Sequence, residues 1–218
     1  MSTITKWAPA VLALVLVASP GVWRYSRHVI TIAHEAGHAL VALLTGRRLE
    51  GIKLNSDTSG VTVSRGRPTG VAVVLMYFAG YVTPSLLGLG AAALVTAEHV
   101  RPLLWATVGL LAAMLIMIRN AFGVLSVVLT GAVMFTVSWY ATAEWQASFA
   151  LFVTWFLLLG GVRPVGELQG RRMRGRAPQS DADQLARITR VPGLVWVFLF
   201  AAVTVGTLLL GGRMLLPL

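Results

Sequence analysis

"ITIAHEAGHALVALL", Ile30 to Leu44, is apolar at most positions yet carries His34, Glu35 and His38. A run of this composition suits a helix inside a membrane. An ionisable side chain at a bilayer centre costs about 2.5–3.5 kcal/mol on insertion scales, so the three together need compensation. Residues four apart lie on one helix face, one turn apart, so both imidazoles can reach one metal ion. Glu35 lies about 100° round from His34, where it can face a water activated by that ion. Two ligands and a general base are what metal-assisted hydrolysis needs, because Zn²⁺ lowers the pKa of a water from 15.7 to about 7. Gly37 leaves room beside this set. The competing reading is a buried polar cluster that helps helices pack. Intramembrane ionisable residues mark functional sites by default, which favours the metal.

The rest of the chain fits a membrane setting. Of its 218 residues 56% are hydrophobic and 12% charged, and the mean hydropathy is +0.77. Soluble domains carry about 25% charged residues. The net charge of +10 reads as membrane topology rather than nucleic-acid binding, since Lys and Arg gather in cytoplasmic loops. Cysteine is absent, so any metal is held by His, Asp or Glu. The segment before Trp23 resembles a signal peptide but reads better as an uncleaved anchor, with Trp7 and Trp23 as interfacial residues at its ends.

Seven apolar segments approach the length of about 20 residues needed to span. They are Trp7–Val22, Val29–Leu44, Val71–Thr96, Leu103–Ile118, Phe122–Ala141, Trp145–Gly161 and Gly193–Leu210. The expected fold is an all-α polytopic membrane protein of six or seven transmembrane helices, one domain over residues 1–218. The third segment contains Gly80, Pro84, Gly88 and Gly90 and is expected to kink or break. With seven spans and a cytoplasmic N-terminus, the inner side holds every Lys and Arg except Arg24, Arg27, Arg101 and Arg213. On this count His38 lies about 12 Å below the cytoplasmic surface, eight residues from Gly46 at 1.5 Å per residue. Composition suits a bacterial cytoplasmic membrane. Two loops are polar. Residues 47–69 alternate at Ile52 and Leu54 and at Val61 and Val63 around "NSDTSG", which predicts a small cytoplasmic β-hairpin. Residues 163–192 are basic and Gly-rich, then helical from near Asp181 to before Pro192.

A catalytic zinc takes three protein ligands and one open position. His28 and His99 fall at expected outer boundaries, and most carboxylates lie in loops or at helix ends. "SDADQLA" offers Asp181 and Asp183 next to the last span. Asp181 is the preferred third ligand to one Zn²⁺ per chain, with Asp183 as the alternative, or as a residue that supports the site or caps the helix. Asp181 followed by Gln184 also reads as a capping box. Asn120, in a tight turn between two spans, is a candidate oxyanion or substrate contact, or a helix cap. "AGYVTPSLLG", Ala79 to Gly88, either lines the site or packs helices.

"HEAGH" within a span, the hairpin after it and a late Asp beside a final span resemble the site-2 protease family, intramembrane zinc metalloproteases, and most closely its compact membrane-only members. Where the family usually has Leu-Asp-Gly, this chain has "SDADQLA". The resemblance implies a substrate that is a transmembrane segment of another protein within the bilayer. A helix buries its own amides, so that segment must unwind, and the hairpin edge could pair with it. "HEAGHAL" also matches AAA-type membrane proteases, but their nucleotide-binding G-x-x-x-x-G-K-[ST] loop is missing here. The remaining alternatives are a catalytically inactive scaffold or chaperone-like protein that keeps the motif, and a metal transporter. The transporter would need polar residues on several spans. Oligomeric state is left open.

Overall fold

The computed structural model describes residues 3–175, 177 and 179–216; Arg176, one of the basic residues counted above, lies outside them. In chain order the elements are α1 (Thr3–Ala18), α2 (Pro20–Leu44), β1 (Arg48–Leu54), β2 (Gly60–Arg65), α3 (Val71–Thr96), α4 (Val100–Met117), α5 (Ala121–Tyr140), α6 (Ala143–Met173), α7 (Asp181–Thr189) and α8 (Gly193–Leu215). The protein is an all-α integral membrane protein with one two-stranded antiparallel hairpin.

Helices α3, α4, α5, α6 and α8 are each long and apolar enough to cross a membrane. The first two apolar segments are not two further spans. α1 and α2 meet at 104° and qualify only together, as one broken span or a re-entrant turn, so the described residues hold five or six spans. Pro20 is the physical reason: it lacks the amide hydrogen that would continue α1, and Ser19 before it is extended.

The contacts of this junction correct the side on which it was expected. Trp23 is 2% exposed and donates to Glu167 Oε1 at 2.8 Å, so it is no interfacial belt residue. Arg27 lies 3.1 Å from Glu167 Oε2, and Arg163 bonds both Glu167 and the Val17 carbonyl. His28 packs on Phe122, just after the α4–α5 turn. Arg27 and His28 therefore sit at the same end of the bundle as Arg119 and Arg163, not at the opposite face. The seven-span count that put the N-terminus on the basic side is lost with them.

α3 is central, packing against α2, α6, α7 and α8. It runs unbroken through Pro84, which is buried in the bundle, so the expected break does not occur. Glycines let neighbours approach: a Cβ at Gly88 or Gly211 would press on Leu158, and one at Gly161 would overlap Ser85.

The hairpin folds back along α2. Thr31 Oγ1 donates to the Thr58 carbonyl at 2.9 Å, which fixes the tip beside the first half of that helix. Ile52 and Leu54 are buried, among Ile32, Ala39, Met114 and Ile118. Val61 and Val63 point to the other face and are exposed. The outer edge of β1 is already covered. Ile118 bridges Ile52, Arg119 N donates to the Ile52 carbonyl, and Asn120 takes both backbone groups of Leu54.

Candidate metal centre

α2 carries His34 and His38 on one face by helical spacing alone. Their Nε2 atoms are 3.0 Å apart. α7 brings the third group: Asp181 Oδ2 lies 3.2 Å from His34 Nε2 and 3.3 Å from His38 Nε2. Glu35 is 3% exposed, and one of its carboxylate oxygens lies within 4.8 Å of the histidine nitrogens.

The tautomer of His38 follows from its other nitrogen. Nδ1 is 2.7 Å from the Met76 carbonyl, which can only accept, so Nδ1 carries the hydrogen. Nε2 then presents a lone pair to His34 and Asp181. Lone pairs this close need a proton or a cation among them. Ligands at about 2.0–2.1 Å from a tetrahedral zinc stand about 3.3 Å from one another, so the spacing and chemistry of this set fit that ion.

The selection of Asp181 depends on a cap one residue earlier than the sequence reading placed it. Ser180 is the N-cap of α7, and its hydroxyl accepts from the Asp183 amide. The same hydroxyl donates to Asp183 Oδ2 at 2.6 Å, while Asp183 Oδ1 pairs with Arg172 at the end of α6. Asp183 thus ties α7 down. The Asp181–Gln184 box is not formed, and Asp181 stands at the first helical position, free to face the histidines.

α3 supplies the opposite wall: in the Ala79–Gly88 stretch Gly80 and Tyr81 line the centre, while Ser85 and Gly88 pack against α6. A Cβ at Gly80 would overlap both imidazoles. Tyr81 sets its ring edge-on to His34 with centroids 4.9 Å apart and stacks on Phe200. Gly37 serves a different purpose from the one expected: a side chain there would strike Thr83 of α3, so it allows helix approach rather than room at the centre. Asn120 stands at the N-cap position of α5, but its side chain is engaged elsewhere. Its amide makes no cap bond to α5, and both ends bond Leu54, at 3.1 and 2.7 Å.

A cavity of about 570 Å³ opens onto the centre, lined by His34, Glu35, Thr58, Gly60, Tyr81 and Asp181 among others. Thr62 carries no catalytic signature in the sequence, yet its hydroxyl donates to Glu35 Oε2 at 2.6 Å. Its one signal was its place in the alternation, opposite to Val61 and Val63.

The family described as Peptidase M50B-like matches residues 7–211 of the chain. No curated relative and no solved structure matches it. The match takes in the bundle, the hairpin and the helix that carries Asp181, and it shows that the chain belongs to the site-2 protease family of membrane metallopeptidases.

Proposed function

We propose that this chain is an intramembrane zinc metalloendopeptidase that hydrolyses peptide bonds in or near transmembrane segments of other membrane proteins. The observation that carries this reading is the convergence of His34, His38 and Asp181 within 3.0–3.3 Å beside the buried Glu35. His34, His38 and Asp181 would hold one Zn²⁺, whose Lewis acidity makes a water nucleophilic near neutral pH and polarises the scissile carbonyl. Met76 holds the His38 ring through Nδ1. Glu35 takes a proton from the attacking water and passes it to the leaving amine.

A substrate helix must unwind first, because its amides are paired within the helix. The free edge of β2 suits the unwound stretch. Leu54 and Ile52 turn their backbone groups toward residues 118–120, away from β2. Alternate residues share a direction, so Gly60 and Thr62 present theirs on the far side of the sheet, beside Glu35. With α1 and α2 as one broken span, only Lys6, Arg101 and Arg213 among the described Lys and Arg residues fall on the face opposite the basic loops. The basic face is then cytoplasmic and the N-terminus lies on the other side, in a bacterial cytoplasmic membrane.

The test is zinc content in detergent-purified protein, for wild type, His38→Ala, Asp181→Ala and Asp183→Ala. About one zinc per chain in wild type, lost in the first two variants and retained in the third, is expected. No zinc in folded wild type supplied with zinc would sink the proposal.

A further inference from the structure

We infer that Thr62 is a positioning residue for Glu35, one that keeps its carboxylate available as a base and out of the ligand set. This rests on reading Glu35 as the base. The Thr62 hydroxyl donates to Glu35 Oε2 at 2.6 Å and lies 3.2 Å from the Glu35 carbonyl oxygen. Having one hydrogen, it gives it to the closer acceptor, the carboxylate oxygen.

The strand is held where this bond can form. Thr62 pairs with Ile52, which is 1% exposed on the same face of the sheet. A slip of one residue would pair Ile52 with Val61 or Val63, so either Ile52 would turn outward or a valine would replace Thr62 beside Glu35; burial of Ile52 rules out the first. Gly60 completes the arrangement. It lies on the same face, and a Cβ there would overlap Glu35 Oε1. One carboxylate oxygen is therefore anchored, while the other faces a position with no side chain, in the wall of the cavity.

The need for an anchor follows from proximity. A Glu35 oxygen lies within 4.8 Å of the histidine nitrogens, near enough for a rotated carboxylate to join them around a cation. A glutamate that ligates cannot accept the water's proton. Thr62 is the only side chain among the described residues that hydrogen-bonds the Glu35 carboxylate.

The experiment compares zinc-loaded wild type, Thr62→Val and Thr62→Ser. Valine keeps the shape and the strand propensity, and serine keeps the hydroxyl. The probe is a quenched-fluorescent peptide built on a Leu/Ala transmembrane segment interrupted by Asn-Pro, with Glu35→Gln as the blank. Zinc affinity is measured alongside by chelator competition. A misplaced base costs about 100-fold in rate, so Thr62→Val should lower kcat about 10- to 100-fold with KM within about twofold. Thr62→Ser should stay within about threefold of wild type, and Thr62→Val should bind zinc as tightly as wild type or more tightly. Wild-type kcat in Thr62→Val overturns the inference, as does a Thr62→Ser as slow as the valine variant, or weaker zinc binding in Thr62→Val. These results leave the protease reading standing. Wild type with no Glu35-dependent cleavage overturns both.

Discussion

Gly80→Ala tests how closely α3 approaches the centre. A Cβ at position 80 would lie 2.7 Å from His34 Cε1 and would overlap His38 more severely. Ordinary Cβ contacts begin near 3.4 Å, so the His34 ring must retreat by about 0.7 Å, or the helices must part by as much. Zinc ligands tolerate about 0.2 Å, so the displacement is several times what the site can absorb. Changes that merely disturb the support of a ligand weaken metal binding 10- to 100-fold. Moving two ligands should reach the upper end, about 100-fold in zinc Kd, or about 2.7 kcal/mol. The control is Gly90→Ala on the same helix, where a Cβ meets nothing within 4 Å. Each substitution gains about 0.8–1.0 kcal/mol of helix propensity, so their difference isolates the steric effect. Both variants are titrated with zinc against a chromophoric chelator in detergent, with helicity checked by circular dichroism. Gly80→Ala that binds zinc within about threefold of the Gly90→Ala control would refute the reasoning.

Two further substitutions separate support from ligation. Asn120→Ala strands the amide and carbonyl of Leu54, a residue 2% exposed, and should cost about 1–3 kcal/mol per unsatisfied group. Hydrogen exchange at β1 should rise while zinc stoichiometry holds; unchanged exchange would show that the clamp is not needed. Asp183→Asn weakens the bond that docks α7 on Arg172. Zinc should bind about 10- to 100-fold more weakly but still one per chain, whereas a wholly zinc-free variant would make Asp183 a ligand.

What the sequence determined by itself is what depends on neighbours along the chain. Hydropathy marks the helices, because transfer into the bilayer is close to a sum over residues. His34 and His38 share a face because helical periodicity allows nothing else. The turn residues at Asn55–Gly60 and the alternation around them make the hairpin legible, and Pro192 ends α7 where expected.

Tertiary structure decided what depends on distant approach. Asp181 and Asp183 look alike in sequence; Arg172 binds one of them, and the histidines receive the other. Ser180 and Asp181 are both good caps, so the register of α7 had no local determinant. Asn120 could satisfy α5 or a strand, and it bonds Leu54, 66 positions away in sequence. Hydropathy measures how readily a segment leaves water and not the direction in which it runs. The 104° turn at Pro20 and the Glu167 cluster, not the composition of either segment, place the start of α2 at the basic end of the bundle. Thr62 acquires a partner only when β2 is laid against α2, because hydrogen bonding between side chains is set by geometry that no short stretch of sequence contains.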